Sequence, residues 1–77
     1  MRYFVIGYIA KNGPKEFSSL RGYKINWRSK MPSFSKIREE CLSWANKSNP
    51  GDNFEYLKID FIQRMSKKDY NSFLEIE

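Results

Sequence analysis

With 77 residues, the chain has the size of one small domain, and we predict a single domain over residues 1–77. Hydrophobic residues make up 40% and aromatic residues 17% of the chain, which is too apolar for a disordered tail. The single cysteine excludes an intramolecular disulfide scaffold. The net charge of +5 is unevenly spread, because residues 1–38 hold nine basic and one acidic side chain, whereas residues 39–77 hold five basic and eight acidic ones.

The first third of the chain predicts a β-hairpin. Residues 2–10 are rich in β-branched and aromatic residues and are apolar on both faces, as is typical of a central strand. A turn signal at residues 11–14 separates them from a second strand, which we expect from about Phe17 to Arg28. Gly22 marks an expected bulge in that strand. In the second half of the strand, apolar and polar residues alternate, and the expected core-facing residues are Tyr23, Ile25 and Trp27.

The rest of the chain predicts a helix, a third strand and a short last helix. The first helix begins at Ser33 or Ser35, and its apolar face holds Phe34, Ile37, Cys41, Trp44, Ala45 and Ser48. Residues 53–64 predict the third strand, with one face formed by Leu57, Ile59 and Phe61. Ser66 begins the last helix as the N-terminal member of a capping box that closes at Asp69.

This β-β-α-β-α order predicts an α+β fold with a three-stranded antiparallel sheet. Strand order 2-1-3 follows if the first helix crosses one face of the sheet from strand two to strand three, since this order places the doubly apolar first strand in the centre. The main helix then packs on one face. If the short last helix leaves the other face open, a homodimer or a partner protein should cover it.

Few of the residues that carry chemistry in enzymes are present, so we expect a protein that is not an enzyme and that has no catalytic site, metal site or cofactor. The chain contains no histidine, the most versatile general base and a common metal ligand. Cys41 falls on the apolar stripe of the first helix, which predicts a core position. The neighbours Glu39 and Glu40 point about 100° apart on a helix and do not converge on one atom.

The opening apolar run does not predict a membrane segment. Gly7 and two tyrosines interrupt it, and it is too short to span a bilayer. No small-residue cleavage site follows it, as a secretory signal would require. We therefore expect a soluble, cytoplasmic protein without a membrane partner.

The basic-aromatic segment at residues 21–30 is the best candidate for a functional site. On a continuous strand, alternate residues share one face at about 6–7 Å, near the spacing of successive phosphates. Such a row can neutralise a nucleic-acid backbone while exposed rings stack on bases. The expected site for nucleic acid or an acidic protein surface consists of Arg21, Lys24, Asn26, Arg28 and Lys30. The alternative is structural, because basic residues also protect an edge strand from aggregation.

The start of the last helix, Ser66-Lys67-Lys68, is a second place where a phosphate could bind, through first-turn amides and two lysines. An ordinary solvated surface is the alternative explanation of these lysines.

Three segments resemble those of small uncharacterised bacteriophage and prophage proteins: YFVIGY at residues 3–8, PSFSKI at residues 32–37 and SKKDY at residues 66–70. Such proteins often bind and redirect host proteins or nucleic acid, so the resemblance implies a binding function of either kind. We predict a nucleic-acid-binding regulator that uses the basic edge strand. The alternative is a phage-type inhibitor or adaptor that occludes a host protein surface.

Overall fold

The computed structural model describes the backbone of residues 1–76 and the side chains of residues 1–74. Its elements, in chain order, are β1 (Arg2–Asn12), β2 (Lys15–Ile25), α1 (Phe34–Ser48), β3 (Tyr56–Met65) and α2 (Lys67–Ile76). The three strands form one antiparallel sheet in the order β2-β1-β3. The predicted α+β class, element order and strand order are therefore confirmed.

Strand β1 lies at the centre of the sheet and is covered on both faces. Its residues Ile6, Tyr8 and Ala10 are buried in one cluster with residues of α1. On the opposite face, the rings of Tyr3 and Tyr70 lie 5.0 Å apart, which places α2 over the first part of β1. The apolar character of both faces of β1 in the sequence thus has a packing partner on each side.

Helix α1 is fixed at its start and near its end by polar side chains. The hydroxyl of Ser33 accepts the backbone N–H of Lys36 at 3.2 Å, so Ser33 is the N-cap. The side chain of Asn46 accepts the N–H of Phe54 at 2.7 Å and donates to its carbonyl at 3.2 Å. Cys41 is fully buried in the core cluster, as its position on the apolar stripe predicts.

The second strand is shorter than the alternation pattern predicts. It ends at Ile25, and a turn follows in which the N–H of Ser29 donates to the carbonyl of Asn26 at 3.0 Å. The Asn26 side chain accepts the N–H of Arg28 at 3.2 Å, a local bond that competes with the sheet ladder. Trp27 therefore leaves the sheet with 62% of its surface exposed, and its predicted place in the core is wrong.

The bulge in the sheet lies in β3, and the predicted bulge at Gly22 is wrong, since the pairing of β1 with β2 is unbroken. The register of β1 with β3 shifts between Gly7 and Tyr8, which adds Asp60 to β3. After this extra residue, each side chain of β3 points to the face opposite to the one that unbroken alternation predicts. Ile62 now packs against the α1 cluster, whereas Phe61 lies on the other face, across Gly7.

Gly22 instead gives the α2 side of the sheet room for a ring. A Cβ atom at this position would lie 2.7 Å from the phenol oxygen of Tyr70, whose side chain is only 4% exposed. We expect Gly22→Ala to lower the free energy of unfolding by about 1–3 kcal/mol, because a buried ring must move. Urea unfolding measures this change.

Gly7→Ala is the matched control, since the substitution is the same and also meets a ring. Its Cβ atom would lie 2.4 Å from the ring of Phe61, but that ring is 44% exposed and can rotate towards solvent. The smaller loss of stability is therefore expected for Gly7→Ala. A larger loss in Gly7→Ala than in Gly22→Ala would contradict the anchoring role of Tyr70.

Two weak acids, the partly buried Tyr23 and the buried Cys41, make the fold sensitive to high pH. Burial, followed by a hydrogen bond and repulsion from Glu40, raises the pKa of Tyr23 from 10.0 to about 12. Burial and the Glu40 charge raise the pKa of Cys41 from 9.0 to about 11. The folded state holds both protons more tightly than the unfolded state, so their stabilising contribution is complete below pH 9.0 and is lost between pH 9.0 and about 12.

Tyr23→Phe should therefore show a weaker dependence of unfolding free energy on pH than the wild type, between pH 10.0 and about 12. The rest of the chain is identical in the two proteins, so the difference between them isolates Tyr23. Urea unfolding at stepped pH measures it, and parallel curves above pH 10.0 would contradict the assignment.

Candidate functional site

The structure separates the five predicted site residues instead of placing them in one row. Arg21 and Lys24 lie in β2 on opposite faces of the sheet, because they are three positions apart on a strand whose side chains alternate between faces. The guanidinium of Arg21 lies 4.8 Å from the centre of the Trp44 ring, on the α1 face. Asn26 and Arg28 belong to the turn after β2, and Lys30 follows that turn. The predicted strand spacing of Lys24, Asn26 and Arg28 is therefore wrong.

The turn that follows β2 is fastened to the start of β1 by Arg2. This residue pairs with Ile25, the last residue of β2, so its side chain reaches the turn. Its guanidinium donates hydrogen bonds to the carbonyl oxygen of Asn26, at 3.3 Å, and to that of Ser29. Among the described residues, no acceptor contacts the buried Nε of Arg2.

A cavity of about 710 Å³ lies beside this turn, and we call it the Trp27 cavity. The antiparallel order of the sheet forms it, because Arg2 and Tyr3 at the start of β1 are paired with Ile25 of β2 and Met65 of β3. The start of α2 follows directly after β3. The lining residues are Met1, Arg2, Tyr3, Trp27, Arg64, Met65, Ser66 and Lys67.

The Trp27 cavity has a positive lining. Arg2, Arg64 and Lys67 contribute three cations, and none of the described lining residues is acidic. The guanidinium of Arg64 lies 5.3 Å from the centre of the Trp27 ring, a cation–π arrangement. Ser66 caps α2 by accepting the N–H of Asp69 at 3.1 Å, so the positive end of the helix dipole also lies here.

The surrounding surface extends this charge over one end of the sheet. We call it the basic end. Its basic residues, which lie in or next to the element termini at this end, are Arg2, Lys24, Arg28, Lys30, Arg64, Lys67 and Lys68, and Asp69 in the first turn of α2 is acidic. At the other end of the sheet, Lys15 forms an ion pair with Asp52 at 3.2 Å, and Glu16 and Glu55 lie nearby in sequence. The positive charge of the molecule is thus concentrated at one end.

Sequence reasoning missed the residues that come from distant segments. Arg2 and Arg64 meet only because β1 and β3 pair, and neither belongs to a motif. Lys67 was identified with the start of α2, but nothing in the sequence linked it to Trp27. A usable signal was present at Asn26, since asparagine favours a local turn over a continuing strand.

A second cavity, of about 480 Å³, runs along the outer edge of β2. It is lined by Gly22, Tyr23, Lys24, Glu40, Ser43, Trp44 and Tyr70. Its charged residues, Lys24 and Glu40, have opposite signs, so it lacks the positive character of the Trp27 cavity. Of these two cavities, the Trp27 cavity is the one whose charged lining residues are all positive.

Comparisons of the chain with family models, with curated proteins and with solved structures found no match. Within the part of the chain that the structure describes, no three cysteine or acidic side chains come together as metal ligands. Neither described helix is long and apolar enough to cross a membrane.

Arg2→Gln should loosen the turn that carries Trp27. The substitution removes the guanidinium that binds the Asn26 and Ser29 carbonyls, so we expect a loss of about 1 kcal/mol in stability. The anisotropy of Trp27 fluorescence, measured in a Trp44→Phe background, should fall. Lys67→Gln is the control, because Lys67 lines the same cavity. Equal anisotropy in the Arg2 variant and the control would contradict the fastening role.

Proposed function

We propose that the protein is a small, non-enzymatic, cytoplasmic regulator that binds nucleic acid through its basic end. The observation that carries the proposal is the Trp27 cavity, which is lined by the three cations Arg2, Arg64 and Lys67 at the end of the sheet to which the other residues of the basic end also belong. Three of the five residues expected from the sequence belong to this surface: Lys24, Arg28 and Lys30. Arg2, Arg64, Lys67 and Lys68 complete it.

The arrangement of the charges favours a nucleic acid over an acidic protein surface. The ends of neighbouring strands are about 5 Å apart, so long basic side chains on them can reach successive phosphates of one backbone. Within the part of the chain that the structure describes, Arg2 and Arg64 are the residues of the basic end whose side chains make a hydrogen bond, an ion pair or a ring contact. The others remain available for phosphate contacts, which supply most of the affinity of nucleic-acid binding proteins.

Reversing two charges at the basic end should weaken binding. Arg28→Glu/Lys30→Glu removes two candidate phosphate contacts, so the affinity should fall. The negative slope of log affinity against log salt should become shallower by about two. Fluorescence polarisation with labelled single- and double-stranded oligonucleotides of about 16 nucleotides, in about 50 to 300 mM KCl, measures both quantities.

The matched control is Lys11→Glu/Lys58→Glu, which changes the net charge equally. Both residues are exposed, and they lie towards the other end of the sheet, where Lys58 pairs with Ile9. The control should keep most of the affinity. Equal losses in the two double variants, or no binding by the wild type at about 50 mM salt, would contradict the proposal.

A phage-type protein inhibitor or adaptor is the second candidate, and an exposed apolar surface favours it. On the sheet face that carries α2, Leu20 and Phe61 are 45% and 44% exposed. Apolar surface of this kind often marks a protein contact. Affinity capture from the host tests it. This candidate is favoured if a host protein is retained in stoichiometric amounts by the wild type and by Arg28→Glu/Lys30→Glu but is lost with Leu20→Ser/Phe61→Ser.

A further inference from the structure

We propose that the Trp27 cavity receives an unpaired nucleobase, so that the protein prefers single-stranded nucleic acid to a duplex. This inference rests on the proposed function and names the class of nucleic acid that the basic end recognises. It depends on the position of Trp27, on the cations around it and on the size of the cavity.

Trp27 presents a large ring to solvent from a fixed backbone. Its side chain is 62% exposed, although tryptophan is usually among the more buried residues. The turn that carries it is held by Arg2 from β1 and by the side chain of Asn26. A ring on an anchored turn needs little further ordering when a ligand stacks on it, which favours binding.

Arg64 orients this ring and supplies a cation next to it. Its guanidinium lies over the ring, 5.3 Å from the centre, and Trp27 is still 62% exposed, which leaves ring surface for a planar ligand. Arg2 and Lys67 line the same cavity and can contact the phosphates that flank a stacked base. An aromatic platform beside cations that follow the backbone is how proteins bind single strands.

The size of the cavity suits one nucleotide, and stacking on Trp27 requires a base that is not paired in a duplex. A volume of about 710 Å³ lies within the usual range of about 300–1,000 Å³ for small-molecule sites. Inside a duplex, both faces of a base are covered by its neighbours, so Trp27 can stack only on a base that is unpaired. A duplex could therefore contact the basic end through its phosphates but could not stack a base on Trp27.

The chain contains a matched control for this arrangement. Phe34 is 52% exposed and has the guanidinium of Arg38 at 5.3 Å from its ring centre. It begins α1 and does not line the Trp27 cavity. Phe34→Ala thus removes an exposed ring beneath an arginine without altering the cavity.

The test compares a labelled single strand of about 12 nucleotides of polythymidine with a mixed-sequence duplex of equal length, by fluorescence polarisation at low salt. The wild type should bind the single strand about ten-fold or more tightly than the duplex. Trp27→Ala should weaken single-strand binding by about 5- to 150-fold, whereas Trp27→Tyr, which keeps a stacking ring, should lose much less. Phe34→Ala should bind within about two-fold of the wild type.

The outcomes distinguish this inference from the proposed function. Duplex binding as tight as single-strand binding, or an effect of Trp27→Ala no larger than that of Phe34→Ala, would overturn the inference and leave the proposed function standing. Failure of the wild type to bind either probe would overturn both. Circular dichroism of each variant checks that the fold is retained.

Discussion

Hydrogen bonding of β1 along both of its edges is the constraint on which the rest of the structure depends. The first strand of the chain pairs with β2 over its whole length and with β3 from Tyr3 to Lys11. This pairing buries Ile6, Tyr8 and Ala10 under α1, where they form the largest part of the strand contribution to the core. It also brings the first residues of the chain to the ends of β2 and β3, which is where the Trp27 cavity forms.

The second face of the sheet is partly covered by aromatic rings that lie over glycines. Tyr70 of α2 approaches Gly22, and Phe61 of β3 lies across Gly7. In a domain this small, a large ring supplies much buried area from one residue, and a glycine beneath it allows close contact. The docking of Tyr70 also fixes the position of α2, whose first turn carries Ser66 and Lys67 to the cavity. Packing on this face and the geometry of the candidate site are therefore coupled.

The basic residues that lie together in the fold are not the ones that lie together along the chain. In sequence, the basic excess lies in residues 1–38, yet Arg64, Lys67 and Lys68 of the acidic second half belong to the basic end. Part of the basic first half lies elsewhere, because Arg21 is stacked on Trp44 and Lys15 is paired with Asp52. The concentration of positive charge that supports the proposed function is a property of strand pairing more than of composition.

The sequence by itself determined the element types, their order, the central place of β1, the Ser66 cap and the core position of Cys41, and it narrowed the cap of α1 to Ser33 or Ser35. These features depend on residue periodicity and on local hydrogen bonds, which a short segment carries in full. The end of β2 was open to error, since alternation continues through Trp27 while Asn26 and Arg2 hold a turn there. Two features were decided only by the tertiary structure: the bulge at Asp60, which changes the face to which the later side chains of β3 point, and the meeting of Arg2, Trp27 and Arg64 at one cavity. Both depend on which backbone atoms of distant strands pair, and no local pattern specifies that pairing.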